Sequence, residues 1–207
     1  MILIDPQLDL SAAADALNPI SAKRRAGPPV AQNQESPRKS PAKLLRLPSP
    51  RTLARFLTKA QTAAGLRGQV TVLLTGEAVM RDLNRRFRGK NKPTDVLSFP
   101  ASNLVQSENK GDLAISVETA LHQSVMQGHS LADEIKVLML HGLLHLAGYD
   151  HETDAGQMQR RERRVRARLG LPLGLIERSR TERKSRPKLN PAVSGRPTAG
   201  AAGGGKP

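Results

Sequence analysis

An α+β fold, a small mixed sheet of about four strands packed with helices, is predicted by three features of this 207-residue chain. Short apolar or alternating runs recur at residues 2–5, 69–75, 95–99 and 112–116. Between them lie longer segments whose apolar residues repeat at helical spacing. The third feature is a leucine-rich helical stretch that ends in a cluster of histidines, which puts the chemistry of the chain on a helix and the loop after it.

Residues 2–5 read as a strand, and the segment through residue 20 connects it to the same domain. Residues 21–48 are rich in Pro, Ala, Lys and Arg with no sustained period, the composition of a disordered insertion. Order resumes at Ser49-Pro50, a cap followed by proline at the first helical position. The helix it opens carries Leu53, Phe56, Leu57 and Ala60 on one face and ends near Gly65. Residues 69–75 alternate, with Val70, Val72 and Leu74 on one side and Thr71 and Leu73 on the other, as a strand does. Thr75 is expected to cap the next helix, whose apolar face reads as Val79, Leu83 and Phe87 and which breaks at Gly89. Residues 95–99 and 112–116 make two more strands, joined by a polar loop that includes Ser102, Asn103, Glu108, Asn109 and Lys110. A helix from Val117 to Gly128 follows. Ser130, with Asp133 three residues on, is an acidic variant of the capping box and launches the leucine-rich helix. The last helix is expected from Asp154 to Leu169, so that residues 49–176 form the principal domain and 177–207 a basic disordered tail.

Charge narrows the partners. The formal net charge is +15, with excesses of +3 over residues 1–50, +6 over 51–176 and +6 over 177–207, so the folded part is basic in its own right. A polyanion such as nucleic acid is the expected partner. The aromatics are Phe56, Phe87, Phe99 and Tyr149, few for stacking successive bases, so recognition should rest on phosphates and shape. The N-terminus has no signal-like pattern and no run approaches a bilayer span, so a cytoplasmic protein without a membrane partner is expected. No Gly-x4-Gly-Lys-Ser/Thr loop is present, which argues against a nucleotide cofactor.

Three of the five histidines, His141, His145 and His151, fall within eleven residues. Four residues apart on a helix, His141 and His145 share a face; Gly148 can end the helix and turn His151 back toward them. The plain alternative is a pair of packed core histidines, because Leu138, Leu140, Leu144 and Leu146 make the helix apolar. Buried rings without a shared ligand would each need separate partners, at about 1–3 kcal/mol for every unsatisfied group. Three imidazoles and an open fourth position are the ligand count of a catalytic zinc site, here one Zn2+ ion. With no cysteine the site cannot be a thiolate finger, and imidazole also suits nickel, copper, cobalt and iron.

The same His-x3-His-x5-His spacing occurs in metzincin peptidases, where a glutamate directly after the first histidine is the general base. Gly142 stands there, which makes a peptidase unfavourable. Asp150, Glu152 and Asp154 are candidates for a base or for orienting an imidazole, with solvated loop acids the equal alternative. Upstream, Arg85, Arg86, Arg88, Lys90 and Lys92 place five cations in eight residues. Arg88, at a helix end before a glycine, is the candidate catalytic arginine, able to hold phosphate oxygens with its planar fork; Arg85, Arg86, Lys90 and Lys92 are candidate RNA contacts. The terminal helix adds Arg160, Arg161, Arg163, Arg164, Arg166 and Arg168, some of them surface charge and some able to track an RNA backbone.

Three segments together resemble the YbeY family of bacterial metal-dependent endoribonucleases: Asn84 to Pro100 with its Arg-Gly-Lys-Asn-Lys-Pro-Thr-Asp core, the strand from Gly111 to Ser116, and His141 to His151. The similarity covers about residues 48–176 and the first strand. It implies a zinc-binding α+β catalytic domain with His141, His145 and His151 as ligands and Arg88 as the family's characteristic arginine. It also implies single-strand-directed cleavage in late maturation of the 16S ribosomal RNA 3′ end, ribosome quality control, and the small ribosomal subunit and its assembly proteins as partners. The alternative is a ribosome-assembly RNA-binding protein whose zinc site is mainly structural. The insertion and the tail depart from the family pattern and take no function from it.

Overall fold

The computed structural model describes residues 1–9, 46–101 and 108–172. In chain order its elements are β1 (Ile2–Ile4), α1 (Pro50–Ala64), β2 (Gln69–Thr75), α2 (Glu77–Arg88), β3 (Val96–Pro100), β4 (Asn109–Ser116), α3 (Val117–Gln127), α4 (Leu131–Leu146) and α5 (Gln157–Leu169). The four strands form one mixed sheet in the order β1-β2-β4-β3. β1, β2 and β4 run parallel, and β3 closes the edge antiparallel to β4. The α+β class expected from the sequence is the class observed. The tail at 177–207, loop residues Ser102 and Asn103, and all of the 21–48 insertion except its last three residues lie outside the described residues.

The two faces of the sheet do different work. Alternate residues of a strand point to opposite faces. Leu113 and Ile115 of β4 therefore join Val70, Val72 and Leu74 of β2 in the main core, while Ala114 between them joins a smaller cluster with Met80 and Leu97. α4 is the centre of the main core. It packs against α1, α3 and α5 as well as β3 and β4, and an unbroken run from Val137 to Leu144 is buried. A helix apolar on nearly every side has to be surrounded in this way.

Glycine makes the closest approach possible. At Gly142 of α4 an added Cβ would lie 2.7 Å from Leu113 Cδ2, and the Gly142 carbonyl accepts a hydrogen bond from Ser98 Oγ at 3.3 Å. The residue that takes the place of a metzincin base is thus the point where α4 rests on the sheet. Gly111, at φ 138°, faces a similar restriction, with the Phe99 carbonyl oxygen against the place an added Cβ would take.

The caps mostly follow the sequence. Ser49 Oγ accepts from Thr52 N, and Ser130 Oγ accepts from Asp133 N at 3.1 Å while donating to Asp133 Oδ2 at 2.7 Å. Thr75 is a correction: α2 is capped at Gly76, and Thr75 instead gives its hydroxyl proton to Asp5, tying β1 to β2. A carboxylate from another element serves the α2 N-terminus, where Glu118 accepts from Glu77 N.

The apolar face of α2 is rotated from the one expected. Val79 is 39% exposed and Phe87 65% exposed, whereas Met80 and Asn84 are buried and Leu83 is partly covered. Asn84 takes the inner position because its side chain donates to Lys92 O at 2.7 Å and its carbonyl accepts from Lys90 N at 3.2 Å. A buried polar residue thereby folds the basic loop against the helix end, and Phe87 packs edge-on against Phe99 with ring centroids 5.0 Å apart.

The last helix begins three residues later than expected, at Gln157. Asp154 is spent ahead of it, its two oxygens accepting from the N–H groups of Gly156, Gln157 and Met158 at 2.7–3.0 Å. No described helix is long and apolar enough to cross a membrane.

Candidate active site

α4 ends where the site begins. Ala147 is its C-cap, Gly148 adopts φ 88°, and the N–H groups of Gly148 and Tyr149 bond back to His145 O and Leu144 O, both at 3.0 Å. This pattern is a Schellman motif, which needs a left-handed residue that glycine supplies without strain. The turn brings His151 back beside His141 and His145, with ring centroids 5.3 Å from each. One ligand nitrogen from each of the three rings lies within 4.8 Å of the others.

The donor set fits one ion. His145 Nε2 and His141 Nε2 are 3.1 Å apart. Two nitrogens on a tetrahedral zinc, each at 2.0–2.1 Å, stand roughly 3.3 Å from one another, so the pair on α4 is already spaced for a shared centre. His141 Nδ1 lies 3.1 Å from Glu162 Oε1, both residues buried. With Nδ1–H donated to this carboxylate, the neutral ring leaves the Nε2 lone pair facing the cavity. Burial, helped by the neighbouring His141 and His151, pulls the His145 pKa down to about 4. His145 is therefore neutral near pH 7, the form that binds metal.

Glu162 went unread in the sequence, where α5 looked like a basic surface helix. Its signal was there: Met158, Glu162 and Val165 recur at helical spacing, and all three are buried. An acid on the apolar stripe of an arginine-rich helix implies a specific buried partner. The acids proposed for the orienting role do other work. Asp154 caps α5, and Asp150 accepts from Glu152 N and Thr153 Oγ1, both at 3.0 Å. Those bonds, the backbone one foremost, hold the Asp150 carboxyl below its ordinary pKa. Glu152 is exposed, lines the cavity, and has no hydrogen bond to its carboxylate among the described residues.

The three rings line a cavity of about 450 Å³ whose other walls include Arg88, Thr94, Ser98, Tyr149 and Glu152. Arg88 reaches it from the end of α2, as Gly89 turns the chain at φ 67°. The rest of the basic segment does not line it. Arg85 and Arg86 both pair with Asp82, at 2.6 and 2.7 Å, and Lys90 and Lys92 are exposed. Asp95, also in the wall, is occupied by Val96 N at 2.8 Å and Gln123 Nε2 at 3.1 Å, which joins β3 to α3 and steadies the cavity rim.

Comparison with known proteins places the chain in a family. The family model described as endoribonuclease YbeY matches residues 32–170. A relative from Koribacter versatilis named endoribonuclease YbeY is 53% identical over 131 residues, 63% of this chain and 84% of its own. Another of that name, from Solibacter usitatus, is 50% identical over 141 residues, 68% of this chain and 90% of its own. A solution structure of a Thermotoga maritima protein is 25% identical, with a TM-score of 0.44 over 70% of this chain and 97% of that one. With a family match over most of its length and a histidine cluster beside an arginine in one cavity, the chain belongs to the endoribonuclease YbeY family.

Proposed function

We propose that the chain is a zinc-dependent endoribonuclease directed at single strands, acting in late 3′-end maturation of 16S ribosomal RNA and in ribosome quality control. The observation that carries this reading is the placement of Arg88 and the three histidines on the walls of one cavity. A nuclease has to hold a phosphodiester and stabilise the negative charge that builds on it, and a guanidinium facing a set of ligand nitrogens provides for both needs. The partners on this reading are ribosomal RNA, the small subunit and its assembly proteins, in the cytoplasm. The insertion at 21–48 and the tail at 177–207 flank a catalytic domain at 49–176 completed by the first strand.

His141, His145 and His151 would hold the ion, which when bound supplies Lewis-acid chemistry to a phosphoryl oxygen. The remaining work falls to the chain. Arg88 grips non-bridging phosphate oxygens with two N–H groups. Glu162 Oε1 keeps the His141 proton on Nδ1 and so fixes the ring's tautomer and direction. The Glu152 carboxylate, exposed at the cavity wall, would take a proton from an attacking hydroxyl or water. Gly142 leaves no carboxylate at the metzincin position, and Leu113 fills the space beside it.

The test is single-turnover cleavage of precursor ribosomal RNA by the zinc-loaded chain, Arg88→Ala and His145→Ala. Loss of cleavage in both folded variants is expected, and full activity in both would refute the assignment. If the wild type binds RNA without ever cutting it and His145→Ala unfolds, the zinc site is structural and the chain is a ribosome-assembly binding protein.

A further inference from the structure

A second basic site lies at the opposite end of α4 from the cavity. A groove of about 430 Å³ opens between the start of α1, the first turns of α4 and the C-terminal end of α5. Arg55 and Lys59 line it from α1, Lys136 from α4 and Arg168 from α5. Lys136 is paired with Asp133 at 3.0 Å. Arg55, Lys59 and Arg168 are exposed and have no ion pair among the described residues. Lys59 and Arg168 also border an adjoining hollow, so the cationic surface continues past the groove.

Two stripes lead into it. Arg51, Arg55 and Lys59 succeed one another four residues apart along the exposed side of α1, as do Arg160, Arg164 and Arg168 along α5. Residues at that spacing lie one above another on a helix. α5 starts at Gln157, six residues after His151 of the cavity wall, and its last residues Arg168 and Leu169 line the groove, so its stripe leads to the groove from the side of the chain that carries the cavity loop. The 16 residues of α4 put the ends roughly 24 Å apart at the rise of an α-helix.

We propose that this groove is a second RNA-binding site that holds the sugar-phosphate backbone of the strand whose scissile bond lies in the cavity; this rests on the endoribonuclease reading given above. Cations supplied by three separate elements suit a ligand whose negative charges recur along its length. Phe56 at the groove is 9% exposed, so no aromatic platform is offered to bases and binding there is independent of sequence. An anionic membrane would need apolar anchors beside the charge, but among the described residues the exposed large apolar side chains are Met1, Leu3, Val79, Phe87 and Met126, none of which lines the groove.

The experiment measures equilibrium binding of the full zinc-loaded chain to a long single-stranded RNA by fluorescence anisotropy over a salt series, with cleavage followed by gel on the same samples. The variant is Arg55→Ala/Lys59→Ala/Arg168→Ala, and a companion Arg55→Lys/Arg168→Lys preserves the charge. Loss of three phosphate contacts should weaken binding at low salt on the order of tenfold and flatten the log–log salt slope by about 2, while the charge-preserving variant keeps the wild-type slope. Identical affinity and slope in wild type and triple variant, with wild-type cleavage intact, would overturn the groove site alone. A wild type that neither binds nor cuts RNA would overturn the endoribonuclease reading and the groove with it. Displacement of RNA by polyglutamate at equal charge would overturn it in favour of an acidic protein partner.

Discussion

Glu162 Oε1 stands 3.1 Å from His141 Nδ1, and the pair joins α5 to α4 inside the core. A carboxylate in this position fixes which ring nitrogen carries the proton and leaves the other for a metal. Glu162→Ala should therefore weaken zinc binding about 10- to 100-fold, read by competition with a chromogenic chelator. The unmatched Nδ1–H should also cost about 1–3 kcal/mol of stability, seen in chemical denaturation. Glu162→Gln, which keeps an acceptor oxygen, should recover most of the stability. Unaltered zinc affinity in Glu162→Ala would show that the contact does not orient the ring.

Gly142 is expected to tolerate no side chain. The carbon that Gly142→Ala adds would meet Leu113 Cδ2 at 2.7 Å, so the variant should lose about 1–3 kcal/mol as α4 lifts from the sheet. Pairing it with Leu113→Ala should return part of the loss, a non-additivity measurable by a double-mutant cycle. Additive losses would place the strain elsewhere.

Asp154 separates capping from catalysis. Asp154→Ala removes the acceptor for three N–H groups and should cost about 0.5–2 kcal/mol, whereas Asp154→Asn, itself a good cap, should stay near wild type in thermal melts. RNA cleavage by Asp154→Asn should match the wild type. A large drop in rate with an unchanged melt would make Asp154 a base after all.

Acid should loosen the β1 edge first. The Asp5 carboxyl is held below its ordinary pKa chiefly by the Thr75 hydroxyl and then by Gln7 N. A depressed folded pKa means that the bond's contribution is complete above the unfolded value of about 3.9 and is lost as pH falls through the lower folded value. Hydrogen exchange at Ile4 and Leu74, paired across β1 and β2, should therefore quicken below about pH 4 in the wild type. Asp5→Asn should show the faster exchange already at neutral pH, with a flatter pH profile.

Most of the fold was readable where one residue settled a local question. Ser49-Pro50, Ser130 and Gly148 mark helix ends through backbone chemistry alone, and the alternation of Val70, Val72 and Leu74 states which side of β2 is covered. The misreadings arose where a distant element decided. Val79, Leu83 and Phe87 have helical spacing, but the sheet selects Met80 and Asn84, because the loop at Lys90–Lys92 needs the Asn84 side chain. Thr75 has the chemistry of a cap, but the carboxylate of Asp5, seventy residues away in the chain, claims it. At the site, the histidine cluster is local and was legible as a group. Glu162 was not, since its meaning depends on α5 folding back against α4.

The three histidines differ in how firmly they are held. His141 is enclosed and braced, His145 is half-covered one turn on, and His151 projects from an exposed turn stapled by Asp150. An ion between them would meet two nitrogens 3.1 Å apart on one helix and a third from the exposed turn. Such a site constrains the distance between its first two donors more tightly than the overall coordination angle. By ligand type alone, three imidazoles so arranged suit zinc, nickel, copper, cobalt or iron.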